Sequence, residues 1–145
     1  MSDAARPHSD RYFTESRDHW WHQDYLGLLA TRLELSRAKS VLEVGTGQGH
    51  FARALAPHFG AGFQFTGLDR ESRSLAIARA PCDEFVRERG LDGGFTFVEG
   101  AAESLPFPDD HFDLVCCQTL LIHLREPALG FAEMLRVCKP GGLLL

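Results

Sequence analysis

Apolar and polar positions alternate along the chain in blocks that predict strands and helices in turn. Short apolar runs bounded by glycine or polar residues predict strands, and longer runs with apolar residues every three or four positions predict helices. Predicted strands cover 41–44, 63–68, 95–98 and 113–118, with a last strand from Gly142. Predicted helices cover 18–35, 49–58, 72–89 and 127–138. This order indicates an α/β fold, a doubly wound parallel sheet of about five strands with helices on both faces.

The segment before the first strand divides into a polar tail and one amphipathic helix. Residues 1–11 are polar, and apolar residues then recur at helical spacing from about Asp18 to Leu35. The predicted core face of this helix consists of Trp21, Tyr25, Leu28, Leu29 and Leu33. We therefore predict a single domain over residues 1–145, with the tail and helix over 1–35 and the sheet-containing core over 41–145.

A glycine-rich stretch between the first strand and the next helix is the most informative motif. The buried-strand pattern Val41-Leu-Glu-Val44 runs into Gly45-Thr-Gly-Gln-Gly49, and helical spacing follows. Strand, glycine turn and helix form the opening of a nucleotide-binding α/β unit, in which the glycines let a ligand lie against bare backbone. Asp69 ends the second predicted strand. A carboxylate placed there can accept hydrogen bonds from ribose hydroxyls.

Two details of the loop favour one kind of ligand. A dinucleotide site needs Gly-x-Gly-x-x-Gly, but here His50 occupies the last position and the third glycine falls one residue early, at Gly49. Glu43 precedes the loop, and an acid there favours a positively charged ligand over a pyrophosphate. S-adenosylmethionine carries an ammonium and a sulfonium and no phosphate. The run from Glu43 to Gly49 resembles the first motif of class I S-adenosylmethionine-dependent methyltransferases.

Three further segments resemble this family. The segment 98–108 is similar to the family segment that follows the third strand and borders the adenine, 112–120 to its fourth strand, and 134–142 to the turn before its fifth. The resemblance implies a Rossmann-like fold, S-adenosyl-L-methionine as cofactor and a small-molecule methyl acceptor. The family's C-terminal strand hairpin is missing, so we expect either a fragment of a longer product or a truncated relative.

The resemblance also implies which residues form the cofactor site. They are Glu43, Gly45, Thr46, Gly47, Gly49, Asp69, Arg70, Ala101, Ala102, Glu103 and Gln118. The family often has an acid at position 101 that can bond the adenine amino group, and Ala101 removes that contact. Two alternatives stay open: Asp69 as a cap of the helix that starts near Ser72, and Glu43 as a residue that orients the loop without touching the ligand.

Catalytic residues are less evident than the cofactor motif. Methyl transfer from a sulfonium is a direct displacement that depends mainly on positioning, so no catalytic constellation is required. His123 is a candidate base near the site, with a packing histidine as the alternative. No metal site is predicted, because Cys-x-x-Cys spacing is absent and the pair His19 and His22 lacks a third ligand. The aromatic residues Tyr12, Phe13, Trp20 and Trp21 form either a core face or a lid over the cofactor.

Composition narrows the possible partners. A net charge of -5 argues against nucleic-acid binding, and no apolar run approaches the roughly 20 residues that span a bilayer. The N-terminus lacks an apolar signal core, which predicts a cytoplasmic protein. Two alternative functions remain: a non-catalytic regulatory domain that binds S-adenosylmethionine, and an NAD-dependent oxidoreductase, which His50 in place of a glycine opposes. The acceptor and the oligomeric state are not predicted.

Overall fold

The computed structural model describes residues 15–145. The predictions for residues 1–11, Tyr12 and Phe13 lie outside these described residues. The strands are β1 (Ser40–Val44), β2 (Phe63–Asp69), β3 (Gly93–Glu99), β4 (Phe112–Cys117) and β5 (Cys138–Leu144). The α-helices are α1 (Gln23–Arg32), α2 (His50–Leu55), α3 (Ser72–Arg89) and α4 (Pro127–Val137). Over residues 15–145, none of the helices combines the length and apolar character needed to cross a membrane.

The five strands form one parallel sheet in the order β3-β2-β1-β4-β5. The predicted α/β class and strand number are confirmed. The chain moves outward from β1 to β3 and then returns to the other side of β1 at β4, so the strand order reverses between β1 and β4. Val44 pairs with Leu68 on one side and Cys117 on the other, which brings three carboxyl ends together. Open α/β sheets bind ligands at such a point of reversal.

Helices cover both faces of the sheet, as predicted. Val41 packs in a buried cluster with side chains of α1 and α2, whereas Leu42 and Val44 pack with Met134 of α4. Successive strand residues point to opposite faces, so each face of β1 supplies one half of the core. The adjacent Cys116 and Cys117 divide between the same two clusters.

The predicted N-terminal helix over 18–35 is wrong in its bounds. Residues Glu15–His19 form a 3₁₀ turn, α1 begins only at Gln23, and the left-handed backbone of Glu34 (φ 52°) follows its end. The reason is tertiary: the Asp18 carboxylate lies 2.7 Å from His50 Nδ1 and 3.0 Å from Arg53 Nη2, both on α2. These contacts hold the chain against α2 before it can enter the helix.

The predicted core face of this helix is wrong at two positions. Tyr25 and Leu28 are exposed, whereas Leu26 is buried. Trp21 and Leu33 do pack against the core, and the Trp21 ring lies 5.1 Å from that of Phe51. Trp21 lies outside α1 and does not fix its phase, so the inner face is defined by the buried Leu26 together with Ala30.

Two strands begin earlier than predicted, and each contains a glycine pair. Gly93 and Gly94 belong to β3, where a side chain at Gly93 would overlap the Phe63 ring. The last strand begins at Cys138 instead of Gly142, because Cys138 pairs with Phe112 before the register shifts. Pairing resumes at Leu143, so the irregular stretch accommodates Pro140 within an edge strand.

Candidate cofactor site

The structure brings the sequence-predicted site residues to one edge of the sheet. The glycine loop follows β1, Asp69 ends β2, the turn with Ala101 follows β3, and Gln118 follows β4. Because parallel strands end at a common edge, these four connections surround the point where the strand order reverses. His123 lies farther along, exposed at the end of a 3₁₀ turn over Leu121–His123.

The glycine loop has a conformation that other residues rarely adopt. Gly45, Gly47 and Gly49 have φ values of 78°, 54° and 73°. A side chain is strained in this left-handed region, whereas glycine adopts it readily. The N–H groups of Gly45 and Thr46 both donate to the Leu68 carbonyl, at 2.7 and 3.0 Å, which anchors the loop to β2.

Asp69 joins the loop to the start of α3. Its Oδ2 accepts the Gly47 N–H at 2.8 Å, and its Oδ1 accepts the Glu71 N–H at 3.0 Å. Glu71 is itself the N-cap residue of α3. Its N–H therefore precedes the first-turn N–H groups that a capping side chain accepts, so this hydrogen bond is not an N-cap of α3. A carboxylate has about four lone-pair sites, so both oxygens keep capacity for a ligand hydroxyl.

Glu43 is buried beneath the loop, with 1% of its surface exposed. The Thr46 hydroxyl donates to Glu43 Oε2 at 2.6 Å. Burial raises the pKa of Glu43 to about 8, although the Thr46 hydrogen bond lowers it; the Asp69 charge adds a smaller increase and the Arg17 charge a smaller decrease. The carboxyl is therefore mostly protonated at neutral pH. The structure thus gives Glu43 a loop-orienting contact and weakens the expectation that it presents a full negative charge.

Two of the loop glycines also have a packing role. A Cβ on Gly49 would lie 2.8 Å from the sulfur of buried Cys82 in α3, so the missing side chain lets α2 start close to α3. A Cβ on Gly45 would lie 2.8 Å from Leu120 Cδ1. Leu120 follows β4 and is a site neighbour that sequence reasoning missed.

The remaining predicted residues line the rim of this edge. Ala101 and Ser104 form an isolated antiparallel bridge around a turn in which Ala102 is buried and Glu103 is half-buried. Arg70 is exposed directly after Asp69, and Gln118 is half-buried.

Thr119 was missed by the sequence reasoning. It has a φ of 53°, an outlier for a β-branched residue, and it directs Leu120 toward Gly45. Such strain concentrates at functional sites. A threonine in the sequence gives no signal that its φ will be positive.

The backbone of the loop indicates which ligand chemistry fits. Phosphate-binding loops leave N–H groups pointing at the anion. Here the N–H groups of Gly45, Thr46, Gly47 and Gly49 all have acceptors within the protein. The acceptor of Gly47 is moreover a carboxylate, which repels a pyrophosphate and suits hydroxyl donors. The residues therefore fit a nucleoside without phosphate, as S-adenosylmethionine is.

A parallel α/β sheet with this loop and Asp69 at its carboxyl edge defines a nucleoside-binding class in which the methyltransferases are included. The family model described as "Methyltransferase domain" matches residues 42–145, and the chain belongs to that family.

Individual relatives agree with this assignment. The chain is 32% identical over 143 residues to the uncharacterized methyltransferase YcgJ of Bacillus subtilis, covering 99% of this chain and 51% of the relative. It is 35% identical over 105 residues to the ubiquinone/menaquinone biosynthesis C-methyltransferase UbiE of Shewanella halifaxensis, covering 72% and 40%. The crystal structure of the [4+2]-cyclase SpnF is similar with a TM-score of 0.65 and 35% identity, covering 84% of this chain and 43% of that one. The chain thus spans about half the length of YcgJ, although nearly all of this chain is matched.

Proposed function

We propose that this chain binds S-adenosyl-L-methionine at the carboxyl edge of its sheet and is a methyltransferase that acts on a small-molecule acceptor. The observation that carries the proposal is the loop in which the N–H groups of Gly45, Thr46, Gly47 and Gly49 are satisfied internally beside the Asp69 carboxylate. Family membership supports the same cofactor. The relatives named as methyltransferases, including a quinone C-methyltransferase, support a small organic acceptor.

The predicted site residues around the loop and the turn at 101–104 take separate roles in this proposal. Asp69 accepts the ribose hydroxyls while it keeps the loop in place through Gly47. Glu43 and Thr46 hold the loop from beneath, and the turn at 101–104 borders the base. The bound cofactor supplies a methyl group already activated by the sulfonium charge. The protein's task is then to align the acceptor, and positioning of this kind contributes roughly 7–11 kcal/mol.

The acceptor side of the site follows β4. Gln118, Thr119 and Leu120 lie next to the glycine loop, and His123 stands exposed beyond them. We propose His123 as the base that takes the proton from an acceptor hydroxyl or amine. The net charge of -5 supports a small-molecule acceptor over a nucleic acid.

The test is transfer of the methyl group itself, because binding alone does not fix the reaction. S-adenosylmethionine with a labelled methyl is incubated with the chain and a panel of phenolic, amine and thiol acceptors. We expect label in an acceptor together with one S-adenosylhomocysteine per transfer, and neither with Gly47→Val. Binding without transfer, in this chain and in a form extended to the length of the relatives, would instead assign a non-catalytic binding role.

A further inference from the structure

Two charged side chains on α4 hold the backbone that connects β3 to β4. Glu133 and Arg136 lie about one turn apart and form a two-point pair, with Arg136 Nε 2.6 Å from Glu133 Oε1 and Nη2 2.8 Å from Oε2. Their side chains are 19% and 31% exposed. The pair is half-buried, and the contacts that it makes with the neighbouring backbone are the informative ones.

Those contacts fix the backbone of residues 105–109. Glu133 Oε2 accepts the Leu105 N–H at 2.8 Å, and Arg136 donates to the Leu105 carbonyl at 3.1 Å and the Phe107 carbonyl at 2.9 Å. Arg136 also bonds the Asp109 carboxylate at 2.7 Å. A planar guanidinium can make these bonds together, because its donors form a rigid fork.

The other end of the same segment is tied to the candidate cofactor site. The Gly100 N–H donates to the Asp69 carbonyl at 3.0 Å, and the Ala101–Ser104 bridge closes the turn between the two anchors. The turn packs on α4 through Ala102, which is buried in one cluster with Met134. The turn is therefore clamped between Asp69 and the Glu133–Arg136 pair.

This clamp bears on recognition because Ala101 has no side-chain acceptor for the base. Contacts from the turn to the adenine then depend on where its backbone lies. We propose that Glu133 and Arg136 are positioning residues that set the turn 101–104 against the adenine of the cofactor and so determine the preference for that base. The inference rests on the proposed function and assigns a role to residues outside the site.

The experiment compares binding of S-adenosylhomocysteine with binding of its analogue that carries hypoxanthine in place of adenine. Arg136→Lys keeps the charge and loses the fork, whereas Glu133→Gln keeps an acceptor for the Leu105 N–H. Lys139→Ala is the matched control, since it removes an ion pair with Asp113 at the opposite edge of the sheet. We expect Arg136→Lys to weaken S-adenosylhomocysteine binding at least about fivefold, the value of one hydrogen bond. We also expect it to lower the ratio of the affinity for S-adenosylhomocysteine to the affinity for the hypoxanthine analogue. Lys139→Ala should change neither.

A lower melting temperature with unchanged affinity and unchanged base preference would overturn the inference and leave the pair a structural one. If Arg136→Lys does not fold, Glu133→Gln decides by the same ratio of affinities. We expect Glu133→Gln to reduce the preference for adenine by a smaller factor. An unchanged preference in this variant would contradict the proposal. Failure of the wild-type chain to bind S-adenosylhomocysteine would contradict the proposed function itself. Wild-type binding with unaffected variants contradicts only the role of Glu133 and Arg136.

Discussion

The two edges of the sheet each contain a buried or half-buried carboxyl group, and the pKa values of the two groups are shifted in opposite directions. At the amino edge, Asp113 Oδ2 accepts bonds from the Lys39 N–H, the Ser40 N–H and the Ser40 hydroxyl, and Lys139 Nζ lies 2.7 Å from Oδ1. Burial alone would raise the pKa of Asp113, but the Lys139 ammonium and the backbone donors hold it well below its usual range. At the carboxyl edge, burial raises the pKa of Glu43 to about 8.

This difference separates a structural edge from a binding edge. The Asp113 cluster joins β1, β4 and β5 with every charge compensated, so its bonds favour the folded state. The carboxyl edge instead contains the buried Glu43 carboxyl, which accepts the neutral Thr46 hydroxyl, together with three glycines with positive φ and the strained Thr119. Proteins retain such costs where a ligand uses them. Changes at one edge should therefore alter affinity and changes at the other should alter stability.

The largest expected effect is that of Gly47→Val on affinity. The left-handed backbone at Gly47 (φ 54°) disfavours a β-branched residue, and we expect the added side chain to occupy space that the ligand needs. We expect S-adenosylhomocysteine binding to fall at least about a hundredfold. Calorimetry measures the loss and circular dichroism confirms the fold. Unchanged affinity would make the loop purely structural.

Asp69→Ala should weaken binding about ten- to a hundredfold, because hydrogen bonds to a charged group contribute roughly 1.5–3 kcal/mol. The melting temperature should also fall, since the Gly47 N–H loses its acceptor. Asp69→Asn keeps one acceptor and should lie between wild type and Asp69→Ala.

An analogue of S-adenosylhomocysteine without ribose hydroxyls separates the two effects of Asp69. It should bind wild type and Asp69→Ala with similar affinity. If the substitution weakens both ligands equally, Asp69 acts only through the loop.

Asp113→Ala should show the reverse pattern to Asp69→Ala. It removes the acceptor of two backbone N–H groups, so we expect a loss of about 1–3 kcal/mol in the free energy of unfolding and no change in affinity. The pKa of Asp113 is depressed in the folded state, so its stabilisation is complete above the unfolded value of 3.8 and is lost as the pH falls below it. Urea unfolding from pH 7 to pH 2 measures both. A drop in affinity comparable to that of Asp69→Ala would remove the distinction between the edges.

The smallest effect concerns Glu43 and the pH. A bound ligand with a positive charge favours the ionised carboxylate, so binding should release a proton and strengthen about two- to fivefold as the pH rises from 6 to 8. Folding stability should move the other way. The folded pKa of about 8 exceeds the unfolded value of 4.5, so stability is full below 4.5 and declines as the pH rises through 8. Glu43→Gln keeps an acceptor for Thr46 and should flatten both slopes, and persistence of either slope would assign it to another group.

Much of the fold could be predicted from local pattern. The helix at 72–89 matches α3 end to end, because its apolar period is regular and Gly90 (φ 61°) terminates it. The loop and Asp69 were also predictable from residue type alone. Glycine adopts positive φ readily, and a carboxylate at the end of a strand is placed to accept hydrogen bonds at the edge of the sheet. The alternation of strands and helices along the chain was enough to predict a parallel sheet with helices on both faces.

What could not be predicted depends on contacts between distant residues. Asp18 meets His50 and Arg53 only in the folded chain, and that contact decides where α1 begins. The roles of Leu120 against Gly45 and of Arg136 on the backbone at 105–109 are likewise tertiary. The raised pKa of Glu43 follows from burial that no local pattern records.

Parallel titration calorimetry with S-adenosylhomocysteine and with NADH tests the central claim most directly. The satisfied N–H groups of Gly45, Thr46, Gly47 and Gly49 and the Asp69 carboxylate predict one-to-one binding of S-adenosylhomocysteine and no heat with NADH. The reason is that the site accepts ribose hydroxyls, whereas these four N–H groups already have acceptors and the carboxylate repels a pyrophosphate. The Asp69→Ala variant in the same experiment should bind about ten- to a hundredfold more weakly. Tighter binding of NADH, or no heat and no thermal shift with S-adenosylhomocysteine on folded protein, would contradict the account.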